Sequence, residues 1–242
     1  TGGTGGSILF DNPDTLRFEG CNFHGGTVEF ENAVNVVIDD NCWFFGPKLW
    51  LTLLCAQFYI GGKFRSGSRI ATEGGTSSRG LQNSKIRADF HTASSITSFI
   101  EFGELGDGKC DKVSIDCTYN VPSGAITSAL ILFTGVVTTN PIRNQSCTII
   151  GNTAHGVGSA TVAFLKNADN LPMYNVVFVG NVIDSGATDA WAEDAGGYTV
   201  TGKFERSVFA MNAPAQKIHY NITGTTNQIN CVDHVAAAPT HS

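Results

Sequence analysis

Charge is scarce in this chain. Lys and Arg number 15 and Asp and Glu 21, so 15% of the 242 residues are charged, against about 25% in an average soluble protein. With a net charge of −6 and no basic cluster, the chain lacks the footprint of a protein that coats DNA or RNA. Runs of Ala, Leu, Glu and Lys are missing too, which excludes long helices. The longest apolar-rich stretch, Trp43 to Ile60, is broken by Pro47, Lys48 and Gln57 and is no helical membrane span. There is no Cys-x-x-Cys pair, no His-Glu-x-x-His and no Gly-x-Ser-x-Gly elbow. The glycine-rich stretches Thr1–Gly6 and Gly74-Gly75 lack the Lys-Ser/Thr of a phosphate loop. No cofactor and no metal are therefore expected. Hairpin signals are nearly absent as well, Asp107-Gly108 being the lone Asp-Gly or Asn-Gly step. A β-sandwich would need such turns every 8–12 residues or so.

What is plentiful is glycine, at 28 residues, together with Thr, Val and Asn. That mixture favours turns and short strands, so the chain reads as all-β. Its length suits one large domain or two small ones. Seven cysteines are spread along it, an odd count, and buried free thiols are the expected state. Cys110 and Cys117 are the one local pair near enough to bridge.

The informative signal is an internal repeat. Ile8–Glu19 and Thr27–Asp39 share the order aromatic, acid, Asn, three turn residues, then apolar-x-apolar-acid. The second half of that unit returns as Phe58–Gly61, Ile86–Asp89, Val113–Asp116, Cys147–Asn152 and Val176–Asn181. Short strands returning every 20–30 residues or so, with polar insertions between them, are the signature of a stacked β-solenoid. Asparagines fall at matching turn positions, Asn12, Asn32 and Asn167 in one set and Asn41, Asn152 and Asn181 in another. Such residues can form hydrogen-bonded ladders.

Alternation along each strand sorts the residues by face. Phe18, Ile38, Ile60, Ala88, Ile115, Ile149 and Phe178 align as an inward column. Arg17, Val37, Tyr59, Arg87, Ser114, Thr148 and Val177 then point outward. Beside them runs a second outward column of Glu19, Asp39, Gly61, Asp89, Asp116, Ile150 and Val179. The lower half of this face is acidic and the upper half apolar. On this alignment Glu19/Asp39 and Asp89/Asp116 are neighbours, about 5 Å apart, and Asp39 and Asp89 are about 10 Å apart. Glycosidases hold paired carboxyls at about 5–5.5 or 6.5–9.5 Å. Glu19, Asp39, Asp89 and Asp116 are therefore candidate acid, base or nucleophile. Tyr59 could stack on a sugar, Arg17 and Arg87 could hold its acidic groups, and His91 could act as a base or bind a uronate. The plain alternative is that Arg17-x-Glu19 and Arg87-x-Asp89 merely neutralise a solvated sheet. In Asp189–Asp194, Trp191 could platform a sugar or the acids hold calcium; a solvated loop is the plain alternative.

The coil pattern, with Gly-Asn after the strand in Ile150-Gly151-Asn152 and Val179-Gly180-Asn181, resembles the right-handed parallel β-helix of pectate-lyase-like proteins. It is most similar to bacteriophage tailspike and capsule-depolymerase modules, over roughly residues 8–210. The resemblance implies an all-β, single-stranded parallel β-helix of about seven to nine coils. It also implies a homotrimer in the virion tail, in contact with other tail proteins, that binds host surface polysaccharide. Whether it cleaves that polysaccharide is open. Two alternatives stand beside this: a non-catalytic virion spacer or adhesin, and a secreted monomeric polysaccharide lyase or hydrolase. Neither nucleic-acid binding nor membrane insertion is expected. Residues 1–7 read as a glycine-rich lead-in from a longer or processed chain, 8–212 as the β-helix, and 213–242 as a capping coil and tail.

Overall fold

The computed structural model describes residues 6–73, 80–103, 109–121, 125–134, 146–156, 163–168, 173–184, 198–212, 218–223 and 229–232. Strands and turns make up all of it, and no helix occurs among these residues. Each circuit of the chain lays down three strands. The first circuit is Ser7–Asp11, Asp14–Phe18 and Asn22–His24, and the second is Thr27–Glu31, Val34–Ile38 and Trp43–Phe45. Later circuits stack on these in parallel and in sequence, building two ten-stranded sheets and one seven-stranded sheet. The protein is a right-handed parallel β-helix of about seven coils. Beyond the seventh rung, Tyr198–Glu205 with Ser207–Ala210 and then Ile218–Thr223 with Ile229–Val232 extend the first and second sheets in parallel.

Register places identical side-chain types one above another. In the second sheet Leu16, Val36 and Phe58 point inward, followed one position on by Phe18, Ile38, Ile60, Ile86, Ile115, Ile149, Phe178 and Phe209. Apart from Phe18 in the end rung, the members of that second column are fully buried. The third sheet sends Phe23, Phe44, Phe64, Phe90, Tyr119 and Ala154 into the same core. Phe44 and Phe64 lie 4.4 Å apart with rings 5° from parallel, and Phe23–Phe44 and Phe90–Tyr119 stack similarly. Offset aromatic pairs of this kind add about 0.5–1.5 kcal/mol each beyond burial. They also lock one rung above the next.

The corners depend on left-handed backbone. Between the first and second sheets Asn12 (φ 48°), Asn32 (φ 50°) and Leu53 (φ 55°) occupy that region. Asn is the non-glycine residue that enters it most readily. The Nδ2 of Asn32 donates to Oδ1 of Asn12 at 2.6 Å, so this pair stacks as the repeat suggested. Between the second and third sheets Gly151 (φ 72°), Gly180 (φ 66°) and Met211 (φ 56°) turn the chain, each followed by an inward Asn. There Asn152, Asn181 and Asn212 form a buried ladder with Nδ2···Oδ1 links of 2.9 Å. This accounts for the Gly-Asn steps. Asn41 is exposed and the inward place on its rung belongs to Cys42, while Asn167 lies within a first-sheet strand in register with Phe133. Neither stands at the position the repeat assigns it.

One register expectation is corrected. Ile60 pairs with Ile86, which in turn pairs with Ile115, so Ala88 is not in their column. The fourth rung is shifted by two residues from the repeat alignment. Parity survives a slip of two, which keeps inside and outside correct but moves residues along the rung. The cause is local: Ser84 takes the inward place held by Phe58 below, and Ile86-Arg87-Ala88-Asp89 imitates apolar-x-apolar-acid two residues late. Lys85 therefore stands level with Tyr59, Arg87 takes the outward place after Ile86, and Asp89 lies in the third sheet beside Lys63.

Candidate functional site

The corrected register divides the expected acidic column. At the edge of the second sheet the order up the stack is Glu19, Asp39, Gly61, Arg87 and Asp116, followed by Ile150 and Val179. Asp39 and Asp116 are three rungs apart, about 14 Å at the usual strand spacing, which is too far for either glycosidase geometry. Glu19 and Asp39 are adjacent, but both carboxylates are engaged. Glu19 pairs with Nε of Arg17, and both side chains are more than 60% exposed. This is the neutralised, solvated pair that the sequence offered as its plain reading. Asp39 accepts hydrogen bonds from the amides of Gly20 at 3.2 Å and Asn41 at 3.0 Å, and from Sγ of Cys42 at 3.4 Å. Desolvation pushes its carboxyl up, yet those donors outweigh it and hold the group below the usual carboxylate range. A carboxyl that stays ionised cannot protonate a leaving group. Its evident role is to pin the turn.

Tyr59 donates its hydroxyl to Oδ1 of Asp40 at 2.8 Å. Desolvation and then the Asp40 carboxylate push the phenol pKa up, disfavouring its ionisation, against a smaller opposing effect from Arg87 nearby. Space for Asp40 comes from Gly61, where a Cβ would lie 2.3 Å from Asp40 Oδ1. Thus Tyr59, Arg87 and Asp40, the last absent from the sequence-derived set, form one polar cluster at this corner.

The third sheet holds what the acidic-column reading overlooked. Its outward positions form two columns. One is Asn22, Trp43, Lys63, Asp89, Thr118 and Thr153; the other is His24, Phe45, Arg65, His91, Asn120 and His155. Trp43 and Phe45 are half-buried, with ring centroids 5.5 Å apart and planes 6° from parallel. The exposed imidazole of His24 stacks on Phe45 at 4.9 Å. On the next rung Lys63 Nζ lies 4.5 Å from the Trp43 ring centre, and the Arg65 guanidinium carbon 5.5 Å from it. Arg65 reaches up to Asp89, with Nη2 2.5 Å from Oδ2 and Nη1 donating to the Asp89 carbonyl at 2.8 Å. Asp89 is thus partnered with Arg65, not with Arg87 as the sequence spacing suggested. His91 stands exposed directly above Arg65.

This face is positioned by the core behind it. Trp43, Lys63 and Phe45 flank Phe44 and Phe64, which are fully buried and stacked, so the outward rings stand on interlocked rungs. The sequence carried a usable signal in Trp43-Phe44-Phe45, where three consecutive aromatics on one short strand must place two on the outer face. The first sheet is different, for its outward Trp50, Ala71, Glu101 and Leu132 are all buried. There Glu101 is held by Arg69 Nη1 at 3.0 Å, Ser98 at 3.2 Å and Thr134 at 3.1 Å.

Buried thiols line the core. Six cysteines are free, Cys110 and Cys117 included, so that pair is not bridged. Burial pushes the thiols of Cys42 and Cys55 up to about 11 and that of Cys117 up to about 12, the reverse of an activated thiol. No cluster of three or more His, Cys, Asp or Glu that could hold a metal occurs among the described residues. Trp191 and the acids around it lie outside the described residues.

The site that emerges is an open face: half-exposed aromatic rings, then cations, then a carboxylate and imidazole, then hydroxyl and amide groups up successive rungs. No protein family, no curated protein and no solved structure matches this chain.

Proposed function

We propose that this protein is the β-helical module of a phage tailspike or tail fibre and binds host cell-surface polysaccharide on its third-sheet face. The observation behind this reading is the row of near-parallel Trp43, Phe45 and His24 rings, half-exposed or exposed on a sheet. Sugar rings pack their apolar C–H surfaces on such groups while neighbouring polar side chains take the hydroxyls. The hydroxyl and amide groups of Thr118, Asn120 and Thr153 continue the same two columns. Binding without cleavage is the form favoured here, because Glu19 and Asp39 are engaged in an ion pair and a turn and Asp116 stands three rungs above Asp39, beyond either paired-carboxyl spacing. The test is a screen of bacterial surface polysaccharides with the wild-type protein and with Trp43→Ala. Removing the ring should weaken binding about tenfold or more, at the level of one lost stacking contact of 1–3 kcal/mol or so. Equal binding by the variant sinks the assignment of this face.

Assembly as a parallel homotrimer belongs to the same proposal. Its support is the apolar upper part of the second-to-third-sheet edge, where Ile150, Val182 and Met211 are 44%, 40% and 79% exposed. Contiguous exposed apolar surface of this kind is usually covered by a partner. Light scattering after size exclusion should return about three times the 25.6 kDa chain mass. A mass of one chain removes the trimer and moves the secreted monomeric enzyme ahead.

A further inference from the structure

Resting on the glycan-binding reading, we propose that the third-sheet face selects carboxylate-bearing sugars, with Lys63 as the anchoring cation and Asp89 as an internal competitor that tempers Arg65. The rung above the aromatic row carries two cations side by side on the outer face, Lys63 and Arg65. Among the described residues Lys63 makes no ion pair. Its ammonium rests over Trp43, 4.5 Å from the ring centre, an arrangement that holds the cation in place with no carboxylate partner among the described residues. Arg65, by contrast, is already committed to the Asp89 carboxylate and carbonyl. Across the columns from Asn22 to Asn120, Asp89 is the lone carboxylate. In a chain of net charge −6 that makes this face a local cationic exception.

A sugar stacked on the Trp43–Phe45 rung places its neighbour over Lys63 and Arg65, one strand spacing or about 5 Å up the solenoid axis. A carboxylate there meets Lys63 directly. It can also share the planar guanidinium of Arg65, whose five donors exceed what Asp89 uses. Asp89 then acts by repulsion: it keeps Arg65 oriented but opposes a second anion.

These relations give substitutions of opposite sign. Lys63→Met keeps the stem on Trp43 and removes the charge. Asp89→Asn keeps the shape and removes the competing anion. The probes are purified acidic bacterial polysaccharides, each with its carboxyl-reduced, neutral counterpart of unchanged backbone. Wild-type protein should bind the acidic form about tenfold more tightly, the scale of one charge-assisted hydrogen bond. Lys63→Met should abolish that preference while still binding the neutral form. Asp89→Asn should bind the acidic form several-fold more tightly than wild type. Equal wild-type affinity for acidic and reduced forms overturns the selectivity and leaves glycan binding intact. Weaker acidic binding by Asp89→Asn overturns the competitor role. Failure of wild type to bind any polysaccharide overturns the functional reading beneath both.

Discussion

Replacing Phe64 by Ala should destabilise the protein by about 4 kcal/mol, the middle of the range for a buried Phe truncated in a packed core. Phe64 is fully buried, stacks on Phe44 at 4.4 Å and packs against Phe90 at 4.8 Å with the rings tilted by 33°. Truncation leaves a void between two rings that belong to the rungs on either side. Because rungs contact only their neighbours, the loss falls on the junction of the second, third and fourth rungs. Urea unfolding should show a lower midpoint or an early separate transition. Phe45→Ala, one rung below and on the outer face, should cost under about 1 kcal/mol, as surface changes usually do. Its effect should appear in glycan binding instead. A loss below about 1 kcal/mol for Phe64→Ala would mean that the aromatic column is not a packed stack.

Asn181→Ala should have a comparable effect through polar groups. Its Oδ1 accepts from the Asn152 amide at 3.1 Å and from Asn152 Nδ2 at 2.9 Å, while its Nδ2 donates to the Ile149 carbonyl at 3.1 Å and to Asn212 Oδ1 at 2.9 Å. Alanine leaves several of these groups buried without partners, at about 1–3 kcal/mol each. A total near 4 kcal/mol is expected, measured by urea unfolding. The isosteric Asn181→Asp gives a sign test. Burial raises the folded-state pKa of the new carboxyl above its unfolded value of about 4, so the folded state binds more protons. Stability of that variant should therefore be greatest at acid pH and fall as pH rises through the folded pKa. A flat pH profile relative to wild type would show that the position is hydrated rather than sealed in the ladder.

Both expectations bear on function through rigidity. The outward rings and cations of the third sheet alternate with Phe44, Phe64 and Phe90, so the spacing of the face is set by the inward stack. Loosening that stack should blur the face before it unfolds the chain.

The sequence by itself determined the architecture. Apolar-x-apolar strands returning at a nearly regular interval, without hairpin turns, can bury their inner faces only by stacking in parallel, and the inward residues from Ile38 to Phe178 follow from alternation alone. Asn12/Asn32 and the Gly-Asn steps at 151–152 and 180–181 were legible because few residues tolerate left-handed backbone or fill a buried polar column. Less legible was the bend in or beside the second-sheet strands: Thr15, Asn35, Asn83 and Lys112 within strands, Gln57 between two short ones, and Asn175 and Arg206 just before theirs all have positive φ. Asn fills three of those positions, but Thr, Gln, Lys and Arg hold the others, where the stacked neighbours impose the conformation. Register through the fourth rung was likewise decided only in three dimensions. Residues 86–89 satisfy the repeat in two alignments, and pairing of Ile86 with both Ile60 and Ile115 selects one. That choice took Asp89 out of the acidic column and placed it against Arg65, because a two-residue shift costs nothing in hydrophobic pattern yet carries a side chain around a corner to another sheet. The aromatic and cationic face does not follow from the spacing of the acids, since its rings, cations and carboxylate come from successive circuits and meet only when the rungs stack.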